Sequence, residues 1–188
     1  MRICVYCGSS TELDVVYIEA ARELGLLIAA RGHSLVYGAG NIGLMGELAA
    51  AVKEAGGHVT GVIPQRLVAY GLASEHIDEL IVTETMAERK AIMESKAQGF
   101  IALPGGFGTL EELFQVLTLK QLHYLQAPIV LLNIAGFYDA LLGCLEQLYA
   151  QHFARAEARM SYLVASSAAE ALDEIEGYKG AELPLKWQ

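Results

Sequence analysis

The run Leu103-Pro104-Gly105-Gly106-Phe107-Gly108-Thr109-Leu110-Glu111-Glu112 brings three glycines, a hydroxyl and two carboxylates together within ten residues. That combination can hold a phosphate and act on what is attached to it. Gly105, Gly106 and Gly108 carry no Cβ, so backbone N–H groups can approach a ligand oxygen closely. Thr109 is a helix-capping residue type, and the apolar spacing of Leu110, Leu113, Phe114 and Leu117 predicts the helix it would cap, Leu110 to Tyr124. The free N–H groups and positive dipole end of such a helix favour a phosphate. Two carboxylates in the same turn would repel that phosphate unless they reach past it, so they point to chemistry beside it. Acids in a first turn also complement the macrodipole with no ligand at all; the remaining motifs favour a site.

Two further glycine loops follow strand-like runs. Cys7-Gly8-Ser9-Ser10 sits after the first, and Tyr37-Gly38-Ala39-Gly40-Asn41-Ile42-Gly43-Leu44-Met45-Gly46 after the second. The latter holds a Gly-x-Gly-x-x-Gly, the spacing of dinucleotide loops, but it follows the second strand and no acid ends the next strand to hold a ribose. A mononucleotide site assembled from several glycine loops fits better than NAD or FAD. On the predicted helix Met86 to Ala97, Arg89 and Lys90 share a face with Met86, Met93 and Ala97. Cations inside an apolar face serve either an anionic ligand or a subunit surface along which their stems lie. On the next helix the same wheel turns Leu110, Leu113, Phe114, Leu117 and Gln121 to the core, sets Glu111 and Thr118 on one flank and turns Glu112 further away. It does not decide which glutamate does chemistry.

Cys4 and Cys7 have Cys-x-x-Cys spacing, yet a strand puts residues three apart on opposite faces, no second pair follows and Cys144 lies far along the chain. Core cysteines are the better account. The five histidines are dispersed and form no metal set; no metal and no cofactor is expected. A net charge of −9 argues against a nucleic-acid polymer, which needs clustered Lys and Arg. Mean hydropathy is high at +0.35, but no apolar run is long enough to span a bilayer. Met1-Arg2-Ile3-Cys4-Val5-Tyr6 enters a strand pattern with no cleavable signal, so the expectation is a soluble, cytoplasmic protein.

These residues need a frame. Strand-like runs at 3–6, 34–37, 58–63, 79–83, 99–103 and 128–132 alternate with helical patterns at 15–31, 44–55, 86–97, 110–124 and 138–152. Near-continuous Val, Ile and Leu in the strands is what burial on both faces requires. Alternation implies right-handed βαβ units: an α/β, Rossmann-like doubly wound parallel sheet in a three-layer α/β/α single domain. Ligands in such sheets lie beyond the carboxyl ends of the strands, where the glycine loops fall. The domain is expected to span 1–176, with 177–188 an irregular tail whose Trp187 could dock on the body.

At this point the chain resembles the Lonely Guy family of cytokinin riboside 5′-monophosphate phosphoribohydrolases. Residues 104–112 match its Pro-Gly-Gly-x-Gly-Thr-x-x-Glu signature, and Met86-Ala87-Glu88-Arg89-Lys90 its Met-x-x-Arg-Lys element. Cys7-Gly8-Ser9-Ser10, the loop from Tyr37 to Gly46 and Gly61-Val62-Ile63-Pro64 extend the likeness over roughly residues 2 to 165. The resemblance implies cleavage of the N-glycosidic bond of a nucleoside 5′-monophosphate, a cytokinin ribotide or AMP, to free base and ribose 5-phosphate. It implies Arg89 and Glu112 as the catalytic pair. It also implies that Gly8, Ser9, Gly40, Met86, Lys90, Gly105, Gly106, Phe107, Gly108, Thr109, Glu111 and Thr118 bind substrate, and that the protein is a homodimer. The lysine decarboxylase label carried by relatives would demand a pyridoxal phosphate lysine, which the family's chemistry does not use.

Such a cleavage passes through an oxocarbenium-like state that a carboxylate can stabilise or help water attack. Three positions depart from the family: Thr85 for Asp, Ala87 for His and Gly71 for a substrate-contacting Glu, with Glu75 nearby. Two rivals stay open: a nucleotide carrier or sensor without turnover, and transfer of the ribosyl group to another base.

Overall fold

In the computed structural model, which describes residues 1–181 and 183, seven parallel strands form one sheet in the order β4-β3-β2-β1-β5-β6-β7. The strands are β1 (Arg2–Tyr6), β2 (Ser34–Tyr37), β3 (Val59–Pro64), β4 (Glu79–Thr83), β5 (Gly99–Ala102), β6 (Ile129–Leu132) and β7 (Leu163–Ala165). The helices are α1 (Val15–Ala30), α2 (Gly43–Glu54), α3 (Gln65–Val68), α4 (Met86–Lys96), α5 (Phe107–Gln121), α6 (Asp139–Ala150) and α7 (Ala168–Gly177). Strand β1 pairs with β2 on one side and β5 on the other, so the chain reverses its direction of winding there. The crevice beyond those two strand ends is where a doubly wound sheet binds ligands.

Apolar strands buried on both faces divide the core into two layers. Ile3, Val5 and Cys7 pack with Leu24, Ile28, Leu48 and Leu172 of α1, α2 and α7. Cys4 and Tyr6 pack on the opposite face with Met93, Leu113, Val116 and Leu117 of α4 and α5. Each fully buried Leu or Ile contributes about 1.5–3 kcal/mol, and Leu48→Ala, which would open a hole in the first layer, is expected to cost about 2–5 kcal/mol. Cys4 and Cys7 are free thiols in opposite layers, as the strand period implied.

Helix starts follow local chemistry. Asp14 caps α1 by accepting from the Val16 N–H, and Thr85 caps α4 by accepting from Glu88, whose carboxylate in turn accepts from the Glu84 N–H. The same box, Ser167 with Glu170, opens α7. That signal stands in the sequence as Ser167-Ala168-Ala169-Glu170. β7 and α7 extend the alternation beyond the elements named from the sequence; β7 has only three residues, too few to show a period.

Three expectations need correction at α5. The helix begins at Phe107 with Gly106 in the capping position and no side-chain cap, so Thr109 is not the N-cap but lies inside the first turn. It ends at Gln121, not at Tyr124, because His123 takes φ 64. The buried face is Thr109, Glu112, Leu113, Val116, Leu117 and Lys120, whereas Phe114 is 40% exposed. Glu112 is therefore turned inward, which an ionisable group tolerates when a partner meets it. Trp187 lies outside the described residues.

Candidate active site

Four strand-to-helix segments and α4 enclose a cavity of about 420 Å³ beyond the carboxyl ends of β1, β2, β3 and β5. At one wall α5 begins. Its first internal hydrogen bond runs from the Leu110 N–H to the Gly106 carbonyl, which leaves the amides of Phe107, Gly108 and Thr109 turned out of the helix end. The backbone can fold this tightly because Gly105 has no side chain: a Cβ there would stand 2.1 Å from Thr109 Oγ1. Glu111 and Glu112 fall in the second turn, behind the amides. An anion can therefore sit on the helix end without meeting either carboxylate head-on.

Behind those amides lies a buried ion pair. Arg89 Nη1 donates to Glu112 Oε1 at 2.7 Å, with both side chains only 9% exposed. Arg89 Nε donates to the Val62 carbonyl at 3.0 Å, which fixes the guanidinium plane. Its other end rests against the loop after β2, where a Cβ on Gly38 would come 2.1 Å from Nη2. Ala39, next in that loop, is fully buried at φ 57, a conformation costly for a residue with a side chain.

Burial pushes the Glu112 carboxyl above the usual carboxylate range, and the Arg89 charge only partly offsets this. A carboxyl so placed suits proton transfer better than an ordinary surface glutamate. Burial likewise pushes up the Cys7 thiol on the cavity wall. A second pair, Lys90 with Glu111, bridges α4 and α5 outside the first. Half-exposed, it contributes at most about 1 kcal/mol.

Of the residues singled out from the sequence, Gly8, Ser9, Gly40, Met86, Arg89, Gly106, Phe107, Gly108, Thr109, Glu111 and Glu112 line this cavity. Gly105 lines a smaller adjoining cavity of about 250 Å³, which shares Gly8, Ser9 and Gly106 with the first. Lys90 reaches the site through Glu111. Thr118 stands about three turns along α5, its hydroxyl donating to the Phe114 carbonyl at 2.8 Å. The sequence reading missed Cys7, Gly38, Ile42 and Met45 as wall residues, although they sit in the glycine loops it had flagged. Ile63, inside β3, and Leu67 and Leu72 beyond it were also missed; apolar residues at a strand end and in the segment after it carry no signal of their own.

Comparison with known proteins finds likeness over most of the chain. The profile of the family described as "Possible lysine decarboxylase" matches residues 45–175. The rice protein named cytokinin riboside 5'-monophosphate phosphoribohydrolase LOG is 45% identical over 187 residues, 99% of this chain and 77% of its own. The chain belongs to the Lonely Guy family. Another Lonely Guy relative, cytokinin riboside 5'-monophosphate phosphoribohydrolase LOG2 of Arabidopsis thaliana, is 43% identical over 94% of this chain and 83% of its own. Among solved structures, the molybdenum cofactor carrier protein of Chlamydomonas reinhardtii superposes with TM-score 0.72 at 26% identity, covering 94% of this chain and 96% of that one. The Lonely Guy fold is thus shared with proteins named for carrying a small molecule.

Proposed function

We propose that this protein hydrolyses the N-glycosidic bond of a nucleoside 5′-monophosphate, releasing the free base and ribose 5-phosphate. The observation that carries the reading is the buried Arg89–Glu112 pair on the wall of a cavity that also holds the start of α5. The 5′-phosphate sits on the amides of Phe107, Gly108 and Thr109, with Gly8 and Ser9 opposite. That places the sugar beside Glu112, which stabilises the developing ribosyl cation or activates the attacking water. Arg89 holds Glu112 in place and assists departure of the base. Gly40 and Met86 bound the base, Glu111 and Lys90 close the rim, and Gly105 and Thr118 support α5 on either side. Energy from the bound phosphate is used to orient the sugar. Nucleosides without the phosphate are expected to react at least about 100-fold more slowly, the equivalent of two charge-assisted hydrogen bonds at about 1.5 kcal/mol each.

The relatives named as phosphoribohydrolases support this reading over an amino-acid decarboxylase, and among the described residues no lysine lines the cavity. The proposal extends to a homodimer of the cytoplasm in which residues 1–176 form the catalytic unit. Met86, Phe107 and Phe114, exposed at 48%, 94% and 40%, cluster beside the site and suit a subunit contact. No described helix is long and apolar enough to cross a membrane.

The likeness to a cofactor carrier favours a second reading, binding without turnover. Chromatography of products after incubation with AMP and N6-isopentenyl AMP separates the two. Free base and ribose 5-phosphate, lost in Glu112→Gln, support hydrolysis; nucleotide that binds and stays intact supports a carrier.

A further inference from the structure

Away from Arg89, the residues of the α5 start and the Cys7–Ser9 loop, the cavity wall carries the side chains of Ile42, Met45, Ile63, Leu67, Leu72 and Met86, all apolar. On the phosphoribohydrolase reading, this is the surface the base and its substituent meet. Two of these residues, Leu67 and Leu72, come from the segment 65–74, which leaves β3 through α3 and does not join the sheet. What fastens it is the loop after β2. The Asn41 N–H donates to the Leu72 carbonyl at 3.1 Å, and the Ser74 N–H donates to the Ala39 carbonyl at 2.9 Å. Between these, Gly40 and Ala73 form an isolated antiparallel bridge. The Asn41 side chain adds a fork: Nδ2 donates to the Gly71 carbonyl at 3.0 Å and the Ala73 carbonyl at 3.4 Å. Both neighbours are acceptors, so the amide nitrogen and not its oxygen must face them.

The fork grips the segment at a turn where Gly71 takes φ +72. Loss of the two side-chain bonds leaves the backbone contacts intact, so the segment stays folded but opens more often. Leu67 and Leu72 move with it, whereas Arg89, Glu112 and the α5 amides stand on other elements.

We propose that Asn41 is a positioning residue for substrate specificity: by holding segment 65–74 against the glycine loop, it sets how firmly an apolar substituent on the base is gripped. The proposal rests on the phosphoribohydrolase reading, and its test keeps the two apart. In Asn41→Ala, the KM for N6-isopentenyl AMP rises about tenfold, the equivalent of two net hydrogen bonds. The KM for AMP and both kcat values stay within about twofold, since neither the phosphate nor the ribose contacts change. Asn41→Asp, of the same size but turning a carboxylate oxygen toward two carbonyls, is at least as severe. Amide exchange across 65–74 quickens in both variants by a similar factor.

Equal KM increases for both nucleotides, a loss confined to kcat, or unchanged exchange in 65–74 overturns the proposal. If the unaltered protein cleaves neither nucleotide, the hydrolase reading fails on its own. The clamp is then decided by the dissociation constants of the same two nucleotides, with a selective loss for the N6-substituted one supporting it and equal or no loss overturning it.

Discussion

Arg89 Nη1 lies 2.7 Å from Glu112 Oε1, and the two side chains that meet there are each only 9% exposed. Buried pairs are weak evidence for stability, because desolvation of both ions offsets most of their attraction. Here burial opposes the Glu112 charge more strongly than Arg89 favours it, since the carboxyl is held above its ordinary value of 4.5. The charge is retained at a cost to the fold, which is the pattern of a functional group rather than a structural one.

Glu112→Gln, which keeps the shape and removes the charge, tests that reading. The Arg89 guanidinium then stays buried without its ion partner, so the denaturant midpoint at pH 7 is lowered even though the shape is kept. Turnover of AMP falls by about 100-fold or more, the range for a lost acid–base or electrostatic group. The pH dependence follows from the sign of the shift. With the folded value above the unfolded one, the folded chain holds the extra proton in the window above 4.5, so the stability of the unaltered protein falls relative to Glu112→Gln as pH rises through it. A variant that keeps full turnover would contradict this account.

Gly38→Ala probes the other side of the pair. The new Cβ would lie 2.1 Å from Arg89 Nη2 and 3.3 Å from Met45 Sδ. The guanidinium is the movable end of a long side chain, so it yields in preference to the backbone and leaves Glu112. Glu112 is then buried without its partner, so thermal stability should fall together with an about 100-fold loss in kcat. In an Arg89→Lys background Nη2 is absent, and the same substitution should cost less than about threefold. That non-additivity, read from a double-mutant cycle, ties the effect to contact between the two residues.

How much of this was legible varies with the element. Strands such as Ile129–Leu132 read clearly because burial on both faces leaves an unbroken apolar run. The glycine loops read clearly because close backbone approach excludes other residues. The inward turn of Glu112 did not, since the apolar spacing of Leu110, Leu113, Phe114 and Leu117 defines a stripe without saying which charged neighbour finds a partner 23 positions away. The start of α5 was missed because a glycine cap leaves no side-chain signal. The wall formed by Leu67 and Leu72 was invisible for a related reason: it is fastened through backbone carbonyls to Asn41, and carbonyls are the same in every residue.

Lys120 gives a second pH test, away from the cavity. It is 2% exposed, donates to the Ala127 carbonyl at 3.0 Å and stands 4.5 Å from the Tyr178 ring. Burial pushes its ammonium down from 10.5 to about 8. Between those values the unfolded chain holds the proton more tightly, so this residue's contribution to stability rises as pH climbs from 8 to 10.5. Lys120→Met lacks that slope. Urea unfolding of the two proteins should show the unaltered chain gaining on the variant by up to about 3 kcal/mol across the window; parallel curves would show that the ammonium is not desolvated.

The thiols test the layering of the core. Cys4 is fully buried and Cys7 is 7% exposed, each in a different layer and each with its thiol pushed up by burial, whereas Cys144 on α6 is exposed. Thiolate is the reactive form, so a colorimetric disulfide reagent should label one thiol quickly in the native protein and all three after unfolding. Because Cys7 borders the cavity and Cys4 does not, saturating AMP should further slow one of the two slow reactions and leave the other unchanged. Two fast thiols would mean that Cys7 is open to solvent, and only one thiol after unfolding would mean that Cys4 and Cys7 are joined across the sheet, which the alternation of strand faces forbids.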